Sequence, residues 1–160
     1  MTVAVRASGV TKRYGDTVAL DDVSVRVDAG EVFALVGPNG AGKTTLVQTL
    51  TGTKTPTEGS ISVLGQSPTA VAEAAIGLLP QSFEPQDRLS VRELFEAYAG
   101  LYDDTLPVDS VLEAVGITGK ADARYETLSG GQQRRACVGI ALINDPAVLF
   151  LDAPTTGIDP

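Results

Sequence analysis

Residues Gly37 to Thr44 read GPNGAGKT, a G-x-x-x-x-G-K-T run, and no other feature constrains the fold of this chain as tightly. Its glycines let the backbone curl until successive N–H groups point inward, and a helix after it adds the positive end of its dipole. That geometry suits phosphate. It requires a strand to deliver the chain and a helix to carry it away. EVFALVG (31–37) is an apolar run too short for a helix and closed by glycine, so it reads as a strand buried on both faces, as in a parallel sheet. KTTLVQTL (43–50) reads as the helix, with Gly52 as its stop. In this setting Lys43 reaches the β- and γ-phosphates of a nucleotide and the Thr44 hydroxyl ligates Mg²⁺.

Two later stretches extend the pattern. AVLFL (147–151) is a second buried strand, and it ends in Asp152. A parallel strand would bring that acid beside the phosphate loop, where it can hold Mg²⁺ through water. LSGGQQRR (128–135) sets a Ser-Gly-Gly turn ahead of a helix, which makes a second anion-binding end. One phosphate loop already supplies one such end, so the spare implies a nucleotide from elsewhere. Arg134 and Arg135 read as solvated or paired with acids.

The rest of the chain organises around these motifs. VAVRA and VSVRV alternate like half-buried strands, with Val23, Val25 and Val27 on one face and turns at Gly15-Asp16 and Ala29-Gly30. EGSISVLG reads as a strand, and TAVAEAAIGLLP as a short helix running into another. Ser90 and Glu93 form a capping box ahead of Val91, Leu94, Phe95 and Tyr98 at helical spacing. Pro107 opens a helix bearing Val108, Val111, Leu112 and Val115 and stopped by Gly116; a third helix begins near Gly131. A β-rich start, a parallel core and a helical insert indicate α/β architecture.

Composition removes several alternatives. With 160 residues, 43% of them hydrophobic, the chain suits one domain with a real core. Twelve basic and twenty acidic residues leave a net charge of −8, which argues against a nucleic-acid backbone as partner. Residues 82–127 hold ten acids and four bases, six of those eight net charges. They read as a solvated face, with adaptation to a salty cytoplasm as the alternative. No apolar run approaches the roughly 18 residues of a membrane span, and MTVAVRASGV lacks the pattern of a signal peptide. Cys137 stands alone, consistent with a reducing cytosol, and the absence of histidine argues against zinc and histidine-based acid–base catalysis.

GPNGAGKTT, Gln81 in LLPQ, LSGGQQRR, VLFLDAP and TGIDP together resemble, in order and spacing, the ATP-binding cassette of ABC transporters. The resemblance spans the whole chain. It implies a P-loop NTPase core with a mainly parallel sheet, an N-terminal antiparallel β-subdomain and a helical subdomain at about 82–135 inserted in a single ATP-binding domain, 1–160. ATP would be held by Tyr14, stacked on adenine, and by Gly37, Pro38, Asn39, Gly40, Ala41, Gly42, Lys43, Thr44 and Thr45. Mg²⁺ would be held by Thr44, Gln81 and Asp152. Ser129, Gly130, Gly131 and Gln132 would close on the γ-phosphate of ATP bound to a second cassette, identical or not, and Asp159 would lie in the loop where the two meet. The middle region LPQSFEPQDRLSVRELFEAYAGLY is most similar to cassettes of export-type transporters. The implied partner is a transmembrane permease, with this chain peripheral on the inner, cytoplasmic face of the cell membrane.

Two departures qualify the resemblance. The family pattern places a glutamate after the strand-ending aspartate to polarise the attacking water; here the residue is Ala153. A methyl group accepts no hydrogen bond, so the general-base position is vacated and slow hydrolysis is expected, from a family of ATPases. The family also carries a further strand and a histidine beyond TGIDP, so a chain ending at Pro160 is expected to lack its C-terminal portion. Two other functions remain open. One is a soluble ABC ATPase acting on ribosomes or chromosomes, although the 46 residues between Gln81 and Leu128 leave no room for the long coiled coil of the chromosomal type. The other is a non-hydrolysing, ATP-gated regulatory or assembly subunit.

Overall fold

The N-terminal alternation produces two twelve-residue strands, β1 (Val3–Tyr14) and β2 (Thr17–Asp28), joined through the Gly15-Asp16 turn. They pair antiparallel, with Val5 opposite Val27, Ala7 opposite Val25 and Val10 opposite Val23. Alternation has its expected result: Ser24 and Arg26 are exposed, whereas Val23, Val25 and Val27 are half-buried. The computed structural model describes residues 2–152, which fall into two compact units, Met1–Ala72 and Glu73–Pro160.

In the first unit, β3 (Glu58–Val63) pairs with the other edge of β1, so the antiparallel sheet runs β2-β1-β3. Helix α1 (Lys43–Leu50) packs against this sheet, burying Leu46, Val47 and Leu50 with Val5, Ala7, Val10, Leu20 and Val63. Thr49 is buried too, and its hydroxyl is satisfied by donating to the Leu46 carbonyl at 2.8 Å. Gly52, at φ 77°, stops the helix as its position predicts.

Two sequence expectations fail here for physical reasons. EVFALVG is not a strand: residues 31–38 carry no regular structure, with Val32 96% and Val36 94% exposed. An apolar run becomes a doubly buried strand only where neighbours pair its backbone, and no described strand pairs with this one. TAVAEAAIGLLP forms no α-helix but two single 3₁₀ turns, Pro68–Ala70 and Glu73–Ala75. Between them Val71 is extended at ψ 135° and buried, so its packing overrides the helical preference of the alanines.

In the second unit, β4 (Ile76–Leu79) and β5 (Val148–Leu151) pair in parallel, Ile76 opposite Val148 and Leu79 opposite Leu151. Among the described residues the parallel sheet consists of this pair. Helices α2 (Val91–Ala99), α3 (Val108–Ala114) and α4 (Gly130–Leu142) follow the apolar spacing closely. Their shared core contains Val91, Leu94, Phe95, Val111, Leu112, Ile117, Ala136, Ile140 and Ile143. Each large side chain there contributes about 1.5–3 kcal/mol. All ten acids of residues 82–127 are exposed, which is the solvated face. Arg92 bridges Asp109 at 2.9 Å and Asp122 at 3.7 Å, surface pairs of small individual weight.

Helix α4 lies close to β4. A Cβ on Gly77 would run into the Ala141 carbonyl oxygen and stand 2.8 Å from Leu149 Cδ1 and 2.9 Å from Pro146 Cγ. The Asn144 amide then ties the helix end to the strand start, donating to Ala74 at 2.9 Å and Ile76 at 3.2 Å. Gly77→Ala is therefore expected to destabilise the chain by about 1–3 kcal/mol, read as a lower urea midpoint at unchanged slope.

At the start of α2 the Ser90 hydroxyl accepts from the Glu93 N–H, and the Glu93 carboxylate accepts from the Ser90 N–H at 2.7 Å. That backbone bond holds the Glu93 carboxyl below its ordinary pKa of 4.5. A depressed carboxylate contributes stability that is complete above its unfolded pKa and lost as pH falls through the folded one. The Tm difference between wild type and Glu93→Gln should stay constant from pH 7 to about pH 5 and shrink progressively as the pH falls below the ordinary carboxyl range. A thermal-melt series across that range checks it.

Candidate functional site

The phosphate-loop geometry begins with a helix that no side chain caps. Gly42 is the N-cap of α1 at φ 87°, without a side-chain hydrogen bond and with no acidic residue in the first turn. By contrast, α2 and α4 are closed by capping boxes built on Ser90 and Ser129. The start of α1 thus keeps the character of an anion site. Gly42 must be glycine, because its φ is left-handed and a Cβ would strike the Ala19 carbonyl oxygen.

Lys43 folds back over the loop. Its ammonium donates to the carbonyls of Gly37 and Pro38, each at 2.6 Å, and so ties the two ends of the turn together. Between them Ala41 N–H donates to the Pro38 carbonyl at 3.2 Å, and Gly40 sits at φ 82°. Asn39, Gly40 and Ala41 are exposed, while Thr44 and Thr45 are half-buried in the first helical turn. The positive charge is held on a surface turn by neutral carbonyls, which a phosphate oxygen can outcompete. Tyr14, at the end of β1, is 44% exposed and carries the Lys12 ammonium 5.1 Å from its ring centroid. The opposite ring face is the one suited to a base.

The second unit contains Gln81, Asp152 and α4, the helix that begins in LSGGQQRR. The β4–β5 ladder continues one residue past its end, where Asp152 N–H donates to the Leu79 carbonyl at 2.9 Å. Gln81 follows β4 by two residues, so both candidate residues belong to the carboxyl edge of a parallel pair, where α/β sheets present ligand groups. Gln81 is exposed and Asp152 buried. Ser129 Oγ accepts from the Gln132 N–H at 3.3 Å, and Gln132 Oε1 accepts from the Ser129 N–H at 3.1 Å. Gly130 is exposed, and a Cβ on Gly131 would meet nothing within 4 Å. Packing among the described residues therefore does not demand the second glycine. Ala153 and Asp159 lie outside the described residues.

Of the two alternatives read for Arg134, solvated or paired with acids, burial removes the first: it is 9% exposed, and its guanidinium donates to the Asp152 carbonyl at 2.9 Å. The signal was periodic: Arg134, Cys137 and Ala141 lie on one helical stripe, and all three are buried. Beside it, Tyr125 Oη stands 3.3 Å from Cys137 Sγ; burial pushes the phenol and the thiol above their ordinary pKa values. Arg135 is exposed and donates to the Gly116 carbonyl at 3.4 Å.

Residues 20–156 match the family model of the ABC transporter. The chain belongs to the ABC transporter family. It is 43% identical to the Nod factor export ATP-binding protein I of Sinorhizobium fredii over 167 residues, covering 99% of this chain and 48% of that protein. The protein of the same description from Mesorhizobium japonicum is also 43% identical, with 99% and 49% covered. The chain thus spans about half the length of these relatives. Among solved structures, cbiO1 from Clostridium perfringens, part of the ABC transporter complex cbiONQ, superposes with a TM-score of 0.81 at 28% identity, covering 100% of this chain and 69% of that one. A bacterial Atm1-family ABC exporter with ATP bound gives 0.79 at 27%, covering 97% and 30%. These likenesses bear out the P-loop NTPase fold read from the motifs.

For this ABC-family chain, Gly42→Ala tests the loop geometry directly. The strain of about 1–3 kcal/mol should lower Tm without nucleotide and weaken Mg-ATP binding by tenfold or more, as read by calorimetry.

Proposed function

We propose that this chain is an ATP-binding subunit of an export-type ABC transporter, one that holds Mg-ATP firmly and hydrolyses it slowly. The observation that carries the reading is the Lys43 ammonium, held at 2.6 Å by two loop carbonyls at the start of an uncapped helix. The identity to export ATP-binding proteins supports the transporter class. The two compact units are the parts of one ATP-binding domain, with the helical segment at about 82–135 inserted.

In this reading the loop N–H groups from Gly37 to Thr45 and the dipole of α1 orient the phosphates, and Lys43 exchanges its carbonyl partners for the β- and γ-oxygens. Tyr14 stacks on the adenine. Thr44, Gln81 and Asp152 are the metal-holding residues. Among the described residues no three of His, Cys, Asp and Glu gather as a cage, which fits a hard cation that arrives on phosphate oxygens and takes only one or two carboxylates. When bound, Mg²⁺ supplies charge neutralisation between the phosphates. Ser129, Gly130, Gly131 and Gln132 meet the nucleotide of a second cassette, same or different, and the open space at Gly131 supports close approach from outside the chain. Asp159 belongs to the contact between cassettes. No described helix is long and apolar enough to cross a membrane, so the proposed permease supplies the spanning segments and this chain sits against their cytoplasmic side.

Ala153 separates holding from cleaving. Its methyl group can neither accept a proton nor orient water, and loss of a positioned base costs about 10²–10⁴-fold in rate. That residue also favours a second reading, a non-hydrolysing subunit gated by ATP binding alone. Steady-state phosphate release decides. Ala153→Glu should raise turnover by about 10²-fold or more while Mg-ATP affinity stays within about twofold. Turnover that stays at the wild-type level in the variant would favour the gated subunit.

A further inference from the structure

We propose that Arg134 is a positioning residue for Asp152, holding the backbone from which that carboxylate serves the metal. The inference rests on the metal role proposed for Asp152. It starts from an unusual burial. Arg134 lies on the buried stripe of α4 with Cys137 and Ala141, where an aliphatic side chain would pack at no electrostatic cost. Burying a guanidinium is unfavourable unless it is bonded. One of its bonds goes to the Asp152 carbonyl, at 2.9 Å.

The place of this bond in the fold matters. Asp152 N–H closes the last rung of the ladder by donating to Leu79. Its carbonyl lies past the final pair, Leu79 and Leu151. A buried carbonyl left without a donor would cost enough to let the strand end shift. Leu79 on one side and Arg134 on the other hold the Asp152 peptide at two points, and both anchors belong to the same unit. Arg134 also sits five residues into the helix that Ser129 caps, so the helix that carries the signature is the one that grips the end of β5. Lysine cannot substitute: its ammonium is a compact, strongly hydrated point charge without the planar fork that meets a carbonyl while the stem packs in a core.

The test compares ATP binding by calorimetry in EDTA and in Mg²⁺, on the full chain, for wild type, Arg134→Lys, Arg134→Met and Asp152→Asn. Mn²⁺ uptake at fixed ATP, followed by electron paramagnetic resonance, gives an independent readout. Both Arg134 variants should bind ATP in EDTA as wild type does, which also establishes their folding. They should lose about 10- to 100-fold of the Mg²⁺-dependent gain, the usual effect of removing an outer partner of a ligand. Arg134→Lys covers the case in which Arg134→Met fails to fold. A lower Tm with the Mg²⁺ gain intact in the Arg134 variants, beside a lost gain in Asp152→Asn, would overturn the positioning role and leave the metal reading standing. A gain intact in Asp152→Asn would remove the metal reading and this inference with it.

Discussion

Helix α4 lies against the β4–β5 pair at a separation that only a hydrogen atom on Gly77 permits, because the Ala141 carbonyl occupies the volume a Cβ would need. Much in the second unit follows from that approach. It lets one face of α4 reach the strands while another joins α2 and α3 in a common core around Phe95, Leu112 and Ile140. It also brings Arg134 within hydrogen-bonding distance of Asp152. The first unit uses the same device on a smaller scale, where Gly42 passes the Ala19 carbonyl and starts α1. In both units a missing side chain sets a backbone distance, and the functional residues inherit their positions from it.

The candidate groups of each unit are held more by backbone than by side chains. In the first unit Lys43 is held by two carbonyls and α1 begins without a side-chain cap; in the second, Asp152 is fixed through its own N–H and C=O. A backbone-built phosphate loop suits a ligand dense in negative charge, since oriented peptide dipoles attract phosphate without bringing mobile counter-charges of their own. The acidic surplus of the chain does not oppose this. The ten carboxylates of residues 82–127 are exposed in the second unit, where water and salt screen them over about 8–10 Å.

Binding and chemistry depend on separate residues in such an arrangement. Groups that hold a nucleotide act in the ground state, whereas a base at position 153 acts only as water attacks. Under the proposed function, an alanine there leaves the first set untouched and raises the barrier by about 3–5 kcal/mol. Such a chain would keep affinity and lose rate, so its role turns on measured turnover.

The amino-acid sequence alone determined the elements whose signals are local. The alternation of β1 and β2, the capping box at Ser90, the stops at Gly52 and Gly116 and the G-x-x-x-x-G-K-T turn are each specified within a few residues. The last of these, with Gln81, LSGGQQRR, VLFLDAP and TGIDP, carries the family resemblance. Tertiary structure decided what depends on neighbours distant in the chain. EVFALVG is as apolar as β5, yet only β5 has a paired strand, and a strand exists by its partner's hydrogen bonds rather than by composition. Arg134 reads like Arg135 as solvated or paired with acids, and only the packing of α4 against the end of β5 makes it a buried donor. Local patterns fix which way a residue's element runs; what that residue touches is fixed by packing between segments far apart in the chain.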